Sequence, residues 1–333
     1  MPSGLSRRSV LSAATAVATT AVMRESFAAI PLPTIKLRLL ETSDLHSFIF
    51  DYDYVKESSD DKVGFAKTAT LIEQARREVK NSLLFDNGDI IQGNALADFV
   101  ASEALPDRTH THPMFSIMNR LKYDVATIGN HEFDFGLSYL KEVLRGSKFP
   151  VVCANAIAAD GSLMLPPYTI LDRLVEDEQG RQHPIRIGVI GFVTPEFMIF
   201  DKSQLEGKVS ATDIVEAARK YVPELRLKAD IVVALSHSGI DAAPQMEGEE
   251  NASLHLATVP GIDVIFTGHQ HRVFPGPQYA GLPDVDAVTG TLHGVPAVMP
   301  GFWGSHVGIV DLLLAVCRSE AGGQARRPKQ IRW

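Results

Sequence analysis

The 333-residue chain has few cysteines, no excess of positive charge and no long apolar segment. Its two cysteines, Cys153 and Cys317, are too few for a disulfide-stapled scaffold. A formal net charge of -8, with no basic patch before the C-terminal tail, argues against binding to nucleic-acid polymers. The apolar run from Val10 to Val22 is too short to span a bilayer comfortably, so we expect no stable membrane span. No serine or cysteine nucleophile motif is visible, so we expect no covalent enzyme intermediate.

The N-terminus has the features of an export signal. Arg7 and Arg8 precede the apolar run in the segment SRRSVL, which resembles a twin-arginine signal, and small residues around Ser26 to Ala28 are suited to cleavage. We therefore expect residues 1–29 to be a twin-arginine-type signal peptide that engages the twin-arginine export machinery. The mature protein would then be periplasmic or secreted. The alternative interpretation is a disordered leader with chance arginines.

The remaining chain has the composition of a packed α/β domain. Apolar residues make up 45% of the sequence, which is ample for a core. Strands are predicted at Lys36–Glu41, Asn81–Phe85, Asp124–Ile128, Pro150–Ala154, Pro184–Val193, Asp230–Leu235, Ile262–Thr267 and His306–Ala315. Helices are predicted at Val63–Val79, Leu96–Ser102, Pro113–Leu121, Gly136–Leu144 and Thr212–Lys228. Several strands are apolar on both faces, which is typical of a sheet covered on two sides. Residues 171–184 are interpreted as a hairpin or surface loop, and Cys153 as a buried small side chain.

Five of the apolar runs are followed by short polar segments, which read DLH, NGD, GNHE, SHS and GHQH. The candidate ligands in them are Asp44, His46, Asp89, Asn130, His237, His269 and His271. Because the loops beyond the carboxyl ends of strands line one crevice in open α/β sheets, we expect these side chains to converge. Imidazole and oxygen ligands together suit zinc, manganese, iron or cobalt better than calcium. Seven ligands exceed one tetrahedral site but suffice for two divalent metal ions if one carboxylate bridges them.

Taken singly, the segments differ in how strongly they indicate a metal site. DLH and NGD are ordinary in turns. GNHE is more specific, because a glycine and three hydrogen-bonding side chains after a buried run serve no packing purpose. GHQH is also specific, because alternation in an extended chain puts both imidazoles on one side. Four further histidines, His110, His112, His255 and His306, are expected to be structural or to lie on a helix surface. The acidic residues 240–252 follow His237 and are interpreted as a solvated loop, with an overhang above the metal site as the alternative.

These motifs resemble the calcineurin-like metallophosphoesterases, and within them the 5'-nucleotidase superfamily. The segments ETSDLHSFIFDYDYVKESSDDKVGFAKTATLIEQAR, NSLLFDNGDIIQG and GTLHGVPAVMPGFWGSHVGIVDL are similar to the periplasmic 2',3'-cyclic-nucleotide 2'-phosphodiesterases that also act as 3'-nucleotidases. The resemblance runs from Lys36 to Leu314 and implies a catalytic domain over residues 36–315. It also implies a four-layer α/β/β/α sandwich, and hydrolysis of small nucleotide phosphoesters by water that two metals activate.

The resemblance further implies a role for each motif residue. Asp44, His46 and His271 would hold one metal ion, Asn130, His237 and His269 would hold the other, and Asp89 would bridge them. His131 would face the phosphoryl group of the substrate, together with Asn130. Asp134 would orient the His131 imidazole as the second member of a catalytic dyad. The alternative for Asp134 is an N-cap of the helix that follows.

The chain departs from this family at its end. Family members continue into a second domain whose aromatic side chains stack on the nucleobase, whereas residues 316–333 here are an irregular polar and basic tail. We therefore expect the nucleotide-binding domain to be absent, with weak activity and poor discrimination among nucleotides. Two alternative functions remain open at this point. One is a 5'-nucleotidase or UDP-sugar hydrolase, and the other is a non-catalytic, truncated metal-binding relic.

Overall fold

A computed structural model describes residues 33–102 and 111–316 of the chain. The predictions for residues 1–29, His110, Cys317 and nearly all of the tail fall outside those residues. In the two described ranges, no helix is both long enough and apolar enough to cross a membrane.

The strands of the described residues are numbered in chain order. They are β1 Thr34–Thr42, β2 Tyr52–Asp53, β3 Ser58–Ser59, β4 Asn81–Asp86, β5 Val125–Ala126, β6 Ala156–Ala158, β7 Tyr168–Glu176, β8 Gln182–Val193, β9 Val209–Ala211, β10 Ile231–His237, β11 Val264–Thr267, β12 Val273–Phe274, β13 Val285–Asp286, β14 Thr291–Leu292, β15 Val295–Pro300 and β16 Gly308–Ala315. The long ones are rich in leucine, isoleucine and valine, as expected for strands buried on both faces.

The helices lie between these strands and are numbered in the same way. They are α1 Phe65–Arg77, α2 Ala95–Ala101, α3 Pro113–Leu121, α4 Gly136–Leu144, α5 Phe197–Phe200, α6 Lys202–Leu205, α7 Ile214–Lys228 and α8 Ser253–Leu256, with short 3-10 helices at Asn130–Glu132 and Pro277–Tyr279. Local chemistry sets several starts. The Asn94 side chain accepts a hydrogen bond at the start of α2, Asp213 does so for α7, and Pro113 occupies the first turn of α3.

The strands form two main sheets. The first has the order β16-β1-β4-β5, in which β1, β4 and β5 are parallel and β16 is antiparallel. The second has the order β13-β14-β15-β11-β10-β8-β7, in which β8, β10, β11 and β15 are parallel. Residues 171–184 fall in the β7–β8 hairpin, so the hairpin interpretation of that charged segment is confirmed.

The two sheets pack face to face, and helices cover their outer faces. Alternation along β4 places Leu83 and Phe85 between the sheets, where the Phe85 ring lies 5.6 Å from that of Phe266 in β11. Leu84 points the other way and packs with side chains of α1 and α3. In the second sheet, Val232 of β10 faces outward against α7. The predicted four-layer α/β/β/α sandwich is confirmed.

One predicted strand is wrong. Residues Pro150–Ala154 form only a single bridge, from Val151 to Ala126. The Val152 N–H donates to Ala126 in the first sheet, whereas the Ala154 N–H donates to Gly191 in the second. The segment therefore crosses from one sheet to the other instead of extending either. Cys153 on it is buried, as predicted. The predicted strand Asp124–Ile128 is shorter than expected and spans only Val125–Ala126.

Candidate metal centre

The five polar segments lie at one end of the two sheets. They follow β1, β4 and β5 in the first sheet and β10 and β11 in the second. Backbone hydrogen bonds join neighbouring loops, since the Asp44 N–H donates to Gly88 at 3.0 Å and the His46 N–H to Asp89 at 2.8 Å. Because these strands are parallel, their carboxyl ends meet at a shared edge, and the loops converge as predicted.

The converging side chains form two groups that share one carboxylate. The first group contains Asp44, His46, Asp89 and His271, and the second contains Asp89, His237 and His269. The donor atoms within each group lie within 4.8 Å of one another. Asp89 Oδ2 lies 3.0 Å from His237 Nε2 and 3.6 Å from His46 Nε2. The geometry therefore gathers six of the seven candidate ligands into two groups, and Asp89 belongs to both.

The donor atoms of these groups are suited to a bound cation. His46 Nε2 and His271 Nε2 lie 2.9 Å apart, so both ring nitrogens can contact one cation. Within the described residues, the buried Asn130 Oδ1 atom has no hydrogen-bond partner. Buried polar atoms without partners are costly unless something else binds them. The residues present thus fit divalent metal ions.

Asn130 is held next to the shared carboxylate by the backbone. It begins the 3-10 helix at Asn130–Glu132, and the N–H of the following residue, His131, donates to Asp89 Oδ1 at 2.8 Å. The Asn130 side chain is buried. Its oxygen is therefore a ligand candidate that complements the carboxylate and imidazole donors.

Backbone carbonyls fix the orientation of two of the candidate ligand imidazoles. His46 Nδ1 lies 2.7 Å from the Gln92 carbonyl oxygen, and His237 Nδ1 lies 2.7 Å from that of Asn87. A carbonyl oxygen can only accept, so each Nδ1 carries a proton, and in the neutral form of each ring it is Nε2 that can bind a metal ion. Both Nε2 atoms face Asp89.

The ligand loops are unusual in their backbone conformation. The residues in the left-handed region with φ between 46° and 69° include Asp44, His46, Asp89, His269 and His271. Non-glycine residues rarely adopt this region, and each instance costs about 1–3 kcal/mol. Such outliers cluster where function needs a particular side-chain direction, which supports this end of the sheets as the functional site.

The glycines that begin two of the motifs are required by close approach. A Cβ atom on Gly129 would lie 2.2 Å from Asp89 Oδ1, and a Cβ on Gly268 would lie 2.2 Å from Ser43 Oγ and 2.8 Å from Asp44 Oδ2. Any larger residue would displace a candidate ligand. This explains the leading glycine in both GNHE and GHQH.

Glu132 organises two of the loops, a role that the sequence did not reveal. Its carboxylate is buried and accepts hydrogen bonds from the N–H groups of Asp89, Ile90, Ile91 and Gly129, at 2.6–3.2 Å. Three of these N–H groups belong to the loop after β4 and the fourth to the loop after β5. Glu132 therefore fixes Asp89 relative to Asn130.

The His131 imidazole pairs with Asp134 beside the candidate ligands. His131 Nδ1 lies 2.8 Å from Asp134 Oδ2, and the ring centroid lies 4.9 Å from that of His46. The alternative interpretation, in which Asp134 caps α4, is wrong, because Phe135 holds the cap position without a side-chain hydrogen bond. Burial disfavours the charged ring, but the hydrogen bond to Asp134 and the charges of Asp89, Asp134 and Glu132 together outweigh burial and raise the pKa of His131 to about 9. The Asp134 contact therefore favours the protonated form of the ring, in which both nitrogens are donors.

Charge is concentrated at this end of the molecule. Burial alone would raise the pKa of Asp89, but the nearby imidazoles, chiefly His237, hold it well below its usual range. Burial raises the pKa of Asp86, the last residue of β4, to about 8, although hydrogen bonds from Thr42 and from the Gly88 N–H oppose the shift. The centre therefore keeps its shared carboxylate ionised and a neighbouring acid neutral.

Three of the histidines that were expected to be structural lie outside both donor groups, whereas the acidic loop reaches one of the candidate ligands. His112 caps α3, His255 Nδ1 pairs with Glu249 at 2.7 Å, and His306 is exposed. Residues 240–252 were interpreted as a solvated loop, and this is wrong for Glu250, which contacts His269. Sequence reasoning also missed Phe302, which stacks on His271 with ring centroids 4.7 Å apart.

Comparison with known proteins identifies the family. The sequence matches the family described as calcineurin-like phosphoesterase over residues 37–273, more than half of the chain. The chain belongs to this family. It is 42% identical to the crystal structure of calcineurin-like phosphoesterase YfkN from Bacillus subtilis, with a TM-score of 0.82 and 89% of each chain covered.

Curated relatives share the sequence over the same region. The 2',3'-cyclic-nucleotide 2'-phosphodiesterase/3'-nucleotidase of Salmonella typhimurium is 50% identical over 289 residues, which cover 86% of this chain and 44% of that protein. The protein of the same description from Yersinia enterocolitica is 49% identical over 283 residues, 84% of this chain and 43% of that protein. The chain therefore spans less than half the length of these relatives.

Replacing Glu132 with Gln should destabilise the protein and weaken the metal centre. An amide has one acceptor oxygen, and its NH2 group would face backbone donors, so each N–H left without an acceptor should cost about 1–3 kcal/mol. Urea unfolding of the metal-free chain measures the loss. Glu206→Gln, at an exposed position near Lys202, is the matched control. Equal urea midpoints for the two variants would contradict the role given to Glu132.

Proposed function

We propose that this protein is a dinuclear-metal hydrolase that cleaves the phosphoester bonds of nucleotides. It would convert 2',3'-cyclic nucleotides to 3'-nucleotides, and 3'-nucleotides to nucleosides. The proposal rests on one observation, which is that the Asp89 carboxylate belongs to both groups of converging donor atoms. The nucleotide class rests on the relatives that are 49–50% identical and carry that activity in their descriptions.

The proposed ligand assignments follow from the two groups. Asp44, His46 and His271 would hold one ion, Asn130, His237 and His269 the other, and Asp89 both. Zinc, manganese, iron and cobalt all suit this donor set. When bound, two such ions supply Lewis-acid charge and lower the pKa of water near the scissile phosphorus.

His131 would contact the substrate directly, and Asp134 would act through His131. The His131 side chain is 36% exposed, whereas His46 beside it is 3% exposed. His131 also lies outside both donor groups, which suits a group that meets substrate rather than metal. The His131 Nε2–H would donate to a phosphoryl oxygen as negative charge develops, and Asp134 would hold the ring in position through Nδ1. Asn130 would border the same phosphoryl site.

The substrate proposal is tested by metal content together with product analysis. The purified chain should contain two transition-metal ions and hydrolyse bis-p-nitrophenyl phosphate. With 2',3'-cyclic AMP, chromatography should show 3'-AMP and then adenosine, with slower release of phosphate from 5'-AMP. Faster hydrolysis of 5'-AMP would favour a 5'-nucleotidase or UDP-sugar hydrolase. Two bound ions without hydrolysis of any of these esters would indicate a metal-binding protein that is not an enzyme.

Replacing His131 with Ala should lower kcat by about 10²–10³-fold, because a preorganised charged donor to the phosphoryl group is lost. Metal content should stay near that of the unaltered chain, since the assigned ligands remain. Steady-state kinetics and elemental analysis measure the two effects. His306→Ala, at an exposed histidine, is the control. Unchanged turnover in His131→Ala would refute the assigned role.

We also propose that the protein is exported through the twin-arginine pathway to the periplasm or beyond. The support is the SRRSVL segment and the apolar run after it. In a bacterial host with this pathway, the double variant Arg7→Lys, Arg8→Lys should accumulate in the cytoplasm, as judged by fractionation. Arg24→Lys, in the same N-terminal segment, should be exported normally. Export of the double variant at the normal level would contradict the proposal.

A further inference from the structure

The acidic loop between β10 and α8 reaches the candidate metal centre through one side chain. Glu250 Oε1 lies 2.7 Å from His269 Nε2. His269 belongs to the donor group of Asp89 and His237, and its side chain is 10% exposed. The Glu250 carboxylate thus contacts the ring of a candidate ligand that lies 19 residues later in the sequence.

The loop holds Glu250 in place at its backbone. The Ser238 hydroxyl donates to the Glu250 carbonyl oxygen at 2.6 Å and accepts the Ala252 N–H at 2.7 Å. Ile240 and Ala252 form a β-bridge that closes the loop. Ser238 directly follows His237, so the same loop is fixed to one candidate ligand by sequence and to a second by Glu250. The side chain therefore loses less conformational freedom when it binds His269 than a free glutamate would.

The contact has the same chemical consequence as the carbonyl contacts of His46 and His237. An ionised carboxylate accepts only, so His269 Nε2 carries the ring proton and Nδ1 keeps the lone pair. In metal sites, such an acceptor fixes the tautomer and ring orientation and makes the ligating nitrogen more basic. A carboxylate is a stronger acceptor than a carbonyl because the hydrogen bond is charge-assisted.

We propose that Glu250 is a positioning residue that sets the affinity of the second metal ion through His269. This inference rests on the proposed dinuclear centre. Glu250 would not ligate metal or touch substrate. It would keep His269 Nδ1 directed at the ion held with Asp89 and His237, and its negative charge would strengthen that ligand.

The loop contains a matched control for this role. Glu249, the preceding residue, makes an equivalent contact of 2.7 Å with His255 Nδ1. His255 lies in α8 and outside both donor groups. Removing the Glu249 carboxylate therefore tests the stability of the loop alone, whereas removing the Glu250 carboxylate tests both the loop and the His269 contact.

The experiment is a titration of the metal-free full chain with Mn²⁺, followed by isothermal calorimetry and by the electron paramagnetic resonance of free Mn²⁺. The unaltered chain should bind two ions. Glu250→Ala should bind one ion normally and the other about 10–100-fold more weakly. Glu250→Gln should lie between these, because the amide oxygen still accepts but carries no charge. Glu249→Gln should match the unaltered chain.

Two results would overturn the inference while leaving the proposed function intact. One is unchanged Mn²⁺ affinity at both sites in Glu250→Ala. The other is an equal loss of affinity in Glu249→Gln and Glu250→Gln, which would show that the loop matters and the His269 contact does not. If the unaltered chain itself bound fewer than two Mn²⁺ ions, the dinuclear function would fail first, and with it the basis of the inference.

Discussion

The buried Asp89 carboxylate is the constraint on which the rest of the site depends. An ionised carboxylate without compensation costs many kcal/mol in a protein interior, so positive charge must surround it. Here His46 and His237, which belong to different donor groups, approach Asp89 Oδ2. The backbone N–H of His131 donates to the other oxygen, Oδ1. Cations between the two groups would compensate the carboxylate and bind the imidazoles at the same time.

Holding that arrangement requires strained loops on a rigid base. Asp89 has a left-handed backbone, and its N–H is bound by Glu132, as are those of the next two residues. Similar strain occurs at the candidate ligands after β1 and β11. The opposing stabilisation comes from the packed faces between the two sheets, where residues such as Phe85 and Phe266 are fully buried. The sandwich core thus stabilises the loop conformations that bring ligands from both sheets to one edge.

Local pattern predicted the strands and the ligands that follow them, because each motif is a short polar segment after a buried run. GNHE and GHQH were informative for this reason, although the need for Gly129 and Gly268 became clear only from their distances to Asp89 and Ser43. Contacts between segments could not be predicted. Glu132 acts on backbone N–H groups more than 40 residues earlier in the chain, and Glu250 acts across a loop. The segment Pro150–Ala154 has a strand-like composition, yet its hydrogen bonds are divided between two sheets.

The four candidate ligand imidazoles are anchored in unequal ways. Main-chain carbonyls orient His46 and His237, and main-chain atoms move only with the loops themselves. Side chains orient the two rings of GHQH, with Glu250 hydrogen-bonded to His269 and Phe302 stacked on His271. The loops after β1, β4 and β10 therefore form the fixed half of the centre, and the loop after β11 forms the adjustable half. In the proposed two-ion centre each ion would take ligands from both halves, so a substitution at residue 250 or 302 would change the geometry around one ion without altering any ligand.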